Sequence, residues 1–150
     1  MRYGWSLSKS AWAMLPLDAR DGSRWRRVVL HQADEIRVPT NSGVYVVCAR
    51  PPVAGPPAKI TSKDLWHKLY GALYVGRSTN LRRRFGEHCR TPKPEIMRCQ
   101  ELWGVELHFW YLILDTALIE TVESALIACL GPIANVVSGI KVRLVPPIPA

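Results

Sequence analysis

Between Tyr74 and His88 the chain gathers Arg77, Asn80, Arg83 and Arg84, a density of cationic and hydrogen-bonding side chains suited to an anionic ligand. Phosphate fits best, because the planar fork of a guanidinium can grip two of its oxygens at once. With about 3.6 residues per helical turn, Leu81, Arg84, Phe85 and His88 fall on one face, while Arg82, Arg83 and Glu87 point elsewhere. Arg84 is thus placed among apolar neighbours, where a partly desolvated cation needs an anion. That anion is either a bound phosphate or a carboxylate of the protein itself. A second charged group stands in an equally demanding position. Glu123 lies at the edge of an apolar stripe of Leu118, Ile119, Val122, Leu126, Cys129 and Leu130, with Glu120 further round toward Thr121 and Ser124. A carboxylate held there must find a cation, a set of donors or a metal, or else take up a proton. A salt bridge to an arginine is the ordinary solution.

The elements that must hold these groups are marked by their punctuation. Ala72 to Gly76 is a short apolar run closed by glycine, and Ser78, Thr79 or Asn80 can cap a helix immediately beyond it, so a strand passes directly into a helix. Asp115 or Thr116 can start a second helix that Gly131-Pro132 ends. Strands are expected over 43–49, 69–76 and 105–114, and the last is apolar nearly throughout, as in a buried central strand. A helix is expected over 94–102, resting on Ile96, Met97 and Leu102. Upstream, Met1 to Asp21 can hold a short helix with Trp5, Trp12 and Leu15 packed on the domain, and Arg24 to Leu30 can form a strand. Arg50 to Lys59 is too rich in proline and glycine to continue a sheet, while Thr61 to Leu69 can form a short capped helix. Lys59, Lys63 and Lys68 beside Trp66 and His67 suit either a contact to a nucleic-acid backbone or a solvated excursion.

Taken together, these positions resemble the GIY-YIG nuclease family. Gly43-Val44-Tyr45 is similar to its first half-motif and Tyr74-Val75-Gly76 to its second. Arg84, ten positions after Tyr74, falls where the family carries its arginine, and His88 lies one helical turn on. Glu123, followed by Leu126-Ile127, Pro132 and Asn135, resembles the metal-binding glutamate and terminal asparagine of the incision subunit of bacterial nucleotide excision repair. Any one of these elements is weak; their order and spacing together are specific. The resemblance spans roughly residues 42 to 137. It implies an α+β fold, a small three-stranded antiparallel sheet flanked by helices. Residues 1–41 then form an N-terminal extension packed on a domain of 42–150, which carries an insertion at 50–71. That insertion accounts for the departure in spacing, since Tyr45 and Tyr74 are 29 positions apart where the family has about ten.

The activity so implied is metal-dependent hydrolysis of DNA phosphodiester bonds, which needs an activated water, charge neutralisation at phosphorus and help for the leaving oxygen. Glu123 would hold one Mg²⁺ or Mn²⁺, and the single carboxylate argues for one metal rather than two. Arg84 would take the scissile phosphate, and Arg77, Asn80, Arg83 and Asn135 are the further substrate-binding candidates, Asn135 by fixing backbone. Tyr45 is favoured as general base with Tyr74 positioning phosphate or water. A phenol of ordinary pKa, about 10, serves only if Arg77, Arg84 or the metal lowers it. His88 would orient phosphate or move a proton. All of this requires two phenols, a guanidinium and an acid to converge on one phosphorus, with the acid and the guanidinium on the same side of the sheet.

Composition sets the bounds. A chain of 150 residues fits one domain, and 48% hydrophobic residues with six tryptophans argue against disorder. A formal charge of +8 favours an anionic partner, here double-stranded DNA, bound as monomer or homodimer. Cys48, Cys89, Cys99 and Cys129 form no CxxC pair and read as reduced core residues rather than a zinc site. With no apolar run of membrane-spanning length and no signal-like N-terminus, no membrane partner and a cytoplasmic location are expected. Two other readings compete: an inactive module that keeps the scaffold and binds nucleic acid, and a basic RNA-binding protein whose aromatic residues stack on bases.

Overall fold

A computed structural model describes residues 15–50, 72–103, 106–132, 134–137 and 140–141. A one-turn helix α1 (Leu17–Arg20) and a 3₁₀ turn (Gly22–Arg24) lead into strand β1 (Arg26–Val29). A second 3₁₀ segment (Gln32–Arg37) precedes β2 (Gly43–Arg50). Then come β3 (Ala72–Ser78), helices α2 (Leu81–Arg90) and α3 (Pro94–Trp103), β4 (Glu106–Ile113), helix α4 (Thr116–Leu130) and the short pair β5 (Val136–Val137) and β6 (Ile140–Lys141). The expectations for Trp5, Trp12 and residues 51–71 lie outside the described residues.

The main sheet is antiparallel throughout and has four strands in the order β1-β4-β2-β3, one more than the three expected. The addition is β1, which pairs along β4 from Arg26 opposite Tyr111 to Val29 opposite His108. It is short and carries two arginines, so its own pattern is that of an edge strand blunted by charge. What commits it to the sheet is its neighbour Trp25, 1% exposed, whose indole N–H donates to the Ala19 carbonyl at 2.8 Å.

Helices cover both faces. On one, Ile119, Val122, Leu126 and Cys129 of α4 pack against Val44, Val46, Val75, Trp110 and Leu112. On the other, Leu81 and Phe85 of α2 and Ile96 of α3 pack against Tyr45, Val47, Leu73 and Phe109. Burial on both sides explains why β2 and β4 read as almost unbroken apolar runs. Burying one such side chain contributes about 1.5–3 kcal/mol, so the two layers hold the sheet firmly between them. The helix ends obey the expected chemistry. Asn80 caps α2 by accepting from the Arg83 amide at 3.1 Å, and Gly131 ends α4 in the left-handed region at φ 53°. No helix among the described residues is long and apolar enough to cross a membrane.

Candidate functional site

Tyr45 lies at the centre of the arrangement. It stands on β2 opposite Gly76 of β3, and a Cβ built on Gly76 would run into the Cζ and Oη of the tyrosine ring. The glycine of one half-motif is therefore the space that the tyrosine of the other occupies. The Tyr45 ring stacks on Phe109 with centroids 4.8 Å apart, and the Tyr74 ring lies 6.0 Å away. Its hydroxyl meets Nε2 of His88 at 2.9 Å, bringing β2 and the last turn of α2 together. Arg84 lies against the same hydroxyl as charge and as donor.

Burial decides the protonation states. Tyr45 has no exposed surface, and desolvation drives its pKa well above the usual phenol range, with Tyr74 adding to the shift and Arg84 opposing it without prevailing. This departs from the expectation that neighbouring positive charge lowers it: the loss of water outweighs one guanidinium. His88 is pushed down to about 4 by burial first, then by the charges of Arg84 and Lys93, against a smaller opposing effect of Glu87. At neutral pH a neutral phenol meets a neutral imidazole, and the tautomer of the ring sets which of the two donates.

Arg84 points the other way as well. Its Nη1 donates to Oε2 of Glu87 at 2.7 Å, a carboxylate that the helical wheel turns away from the site. One helical turn in a real side-chain geometry lets Glu87 reach back along α2. Arg77, Ser78, Thr79, Arg83, Arg84, Glu87 and Ile119 line an open cleft of about 340 Å³. The cleft belongs to three elements at once: the end of β3, the first turns of α2 and the first turn of α4.

This position settles how acid and guanidinium relate. The expectation that acid and guanidinium stand on one side of the sheet is not met: helices α2 and α4 cover opposite faces, so Arg84 and Glu123 do not share a layer, because each side chain follows the face its own helix buries. They approach each other around β3, the last strand of the sheet. Arg77 at its end reaches Oε1 of Glu123 at 3.8 Å and Oε2 of Glu120 at 3.4 Å, and the charge of Arg84 is felt at Glu123. The Glu123 side chain is 21% exposed, and burial raises its pKa, an effect that Arg77 only partly offsets.

The remaining candidates divide between cleft and scaffold. Arg83 is exposed in the cleft, with its Nε 3.9 Å from Glu87. The acceptor oxygen of Asn80 serves as the cap of α2. Asn135 is buried, accepting from the Val75 amide and donating to the Val75 carbonyl, both at 2.8 Å. It acts as a side-chain rung on the outer edge of β3 and leaves neither amide atom turned to a substrate. Lys93 carries no signal in the sequence, while Glu87 reads there only as an outward side chain, Gly76 as a strand end within the second half-motif and Ser78 as one of three candidate caps. Ser78 is buried, its hydroxyl bridging the carbonyl and amide of Asn80 at 2.8 and 2.9 Å, which fixes the turn from β3 into α2. A serine two positions before an N-cap residue is the available signal for this turn.

Among the described residues no three His, Cys, Asp or Glu side chains gather into a metal cage. Glu123 nevertheless fits a hard divalent ion of the Mg²⁺ type, which binds through one or two carboxylates, keeps several waters and completes its shell with phosphate oxygen. Its carboxylate is half-buried, undercompensated by Arg77 and next to the cleft.

Compared with protein-family models, with curated proteins and with solved structures, the chain matches none.

Proposed function

We propose that the protein is a metal-dependent endonuclease that hydrolyses DNA phosphodiester bonds at a single site, in the manner the GIY-YIG resemblance implies. The observation that carries this reading is the junction at Tyr45. One buried hydroxyl is held between His88 at 2.9 Å and Arg84, and Arg84 in turn opens into a basic cleft next to Glu123. A guanidinium ordered from behind by a phenol is preorganised for phosphate, and such preorganisation supplies most of the stabilisation that phosphoryl chemistry needs.

In the proposed reaction the phosphate takes the place of Glu87 on Arg84, with Arg77 and Arg83 holding neighbouring backbone oxygens. Tyr45 and His88 form the proton-accepting pair: with the imidazole as its Nδ1–H tautomer, Tyr45 takes a proton from the attacking water as its own passes to Nε2 of His88. Because Tyr45 is buried in the free protein, the cleft must open beside Arg84 when substrate seats. Tyr74, which keeps partly open surface, holds the water or a phosphate oxygen. Glu123 would hold one Mg²⁺ or Mn²⁺, which supplies Lewis-acid charge neutralisation at the leaving oxygen. The cleft is basic, and the chain carries +8, which favours double-stranded DNA as partner.

A second reading has its own observation. The approach of Arg77 to Glu123 at 3.8 Å is what a structural ion pair would show, and it suits an inactive nucleic-acid-binding module. Relaxation of supercoiled plasmid separates the two. The nuclease nicks with Mg²⁺ and stops on addition of EDTA, whereas the binding module retards plasmid under both conditions without cutting it.

A further inference from the structure

Lys93 has no place in the reaction above, yet three observations bring it to the site. Its Nζ lies 4.8 Å from the centroid of the Tyr74 ring, within cation–π range. Its charge is felt at His88, so it stands near two of the three ring partners of Tyr45. Its backbone is also fixed. The Lys93 carbonyl accepts from the amides of Ile96 and Met97 at 3.0 Å each, making it the residue from which α3 starts, with Pro92 and Pro94 on either side to restrict the chain.

Lys93 is half-buried, and among the described residues no carboxylate pairs with it. The other cations near the site differ in this respect: Arg84 and Arg83 meet Glu87, and Arg77 meets Glu120 and Glu123. An ammonium with three donors, held on an aromatic face and with no counter-charge among the described residues, is a point receptor for an anion. It does not line the cleft, so its anion is a different one from that taken by Arg84.

We propose that Lys93 binds the DNA phosphate flanking the scissile one on the Tyr74 side, so that the basic track continues from the cleft past Tyr74. Lys93 thereby extends the site described above, and the inference rests on that reading, since a phosphate beside Tyr74 presupposes a backbone seated at Arg84.

The test uses the full chain, a short fluorescent DNA duplex and Lys93→Met and Lys93→Arg variants, with affinity measured across a range of salt concentrations. Loss of one phosphate contact lowers the salt dependence of log K by about one unit in Lys93→Met, and the arginine restores it. NMR titration of the His88 ring without DNA reports on the fold and on the placement of Lys93. The ring is faced by Tyr45 of β2, Tyr74 of β3, Arg84 and Glu87 of α2, and Lys93. Of these only Lys93 changes, so the His88 midpoint rises in Lys93→Met. An unchanged salt slope in Lys93→Met overturns the phosphate subsite, whether or not the midpoint moves. Nicking by the wild type is scored separately. A reduced slope without nicking leaves the subsite standing and removes the hydrolase, while nicking with an unchanged slope removes only the subsite.

Discussion

Gly76 faces Tyr45 across the β2–β3 ladder, and the hydroxyl end of the tyrosine fills the volume that any side chain at position 76 would need. The two half-motifs thus form one packing unit. From that unit the hydroxyl reaches His88 and Arg84, so whatever displaces Tyr45 also disorders the charge that faces the cleft.

Gly76→Ala should therefore destabilise the protein by about 1–3 kcal/mol, the usual range for forcing an extra carbon into a packed interior. Urea denaturation reads this directly. A variant as stable as the wild type would mean that the Tyr45 ring moves aside freely.

Tyr45→Phe removes the hydroxyl and keeps the ring stacked on Phe109. It leaves Nε2 of His88 without its partner, which costs about 1–3 kcal/mol, and the fold should survive. Nicking should fall by about 10²-fold or more, the contribution of a positioned proton-transfer group. Retained nicking would transfer the role of base to Tyr74, which Tyr74→Phe then tests.

His88 gives the pH dependence its sign. Its folded-state pKa, about 4, lies below the ordinary value of 6.5, so between these values the unfolded chain binds more protons than the folded one. Stability from this group is complete above about pH 6.5, declines as the pH falls through that window, and has no further slope below about 4. Urea midpoints measured across the window should drop with acidification in the wild type and drop less steeply in His88→Gln. Parallel curves for the two proteins would show that the imidazole is not buried neutral.

Asn135→Ala tests the scaffold without touching the cleft. It strands both the amide and the carbonyl of Val75 on the outer edge of β3, and about 2 kcal/mol or more should be lost. Hydrogen exchange at the Val75 amide should accelerate in step. If it stays protected, another group has replaced the asparagine.

Much of this is legible in the sequence, and the limits have physical causes. The elements that announce themselves by period and caps, namely β2, β3, β4, α2 and α4, stand where glycine punctuation, apolar runs and the Asn80 and Gly131 signals put them. Strand β1 does not declare its place in the sheet, because four residues with two arginines have no pattern of their own; that place is set by the β4 they pair with and by Trp25 beside them. Tyr45, Arg84, His88 and Glu123 can be picked out by type and spacing. Their relation around the end of β3 cannot, because it depends on which face each helix covers. The protonation of Tyr45 runs against expectation for a similar reason: a list of nearby arginines does not reveal that the hydroxyl is sealed from water. Glu87 escapes a helical wheel because the wheel projects Cα positions and not the reach of a long side chain.

The central claim is that a guanidinium on one face of the sheet and an acid on the other act on one phosphate. Single-turnover nicking of plasmid already bound to protein, in Mg²⁺, tests it with Arg84→Ala and Glu123→Gln beside the wild type. Arg84 is one-third exposed and Glu123 only loosely paired, so both variants should stay within about 1 kcal/mol of wild-type stability and still bind DNA. Each should nick at least about 10²-fold more slowly than the wild type. Wild-type nicking rates in either variant, or no metal-dependent nicking by the wild type itself, would contradict it.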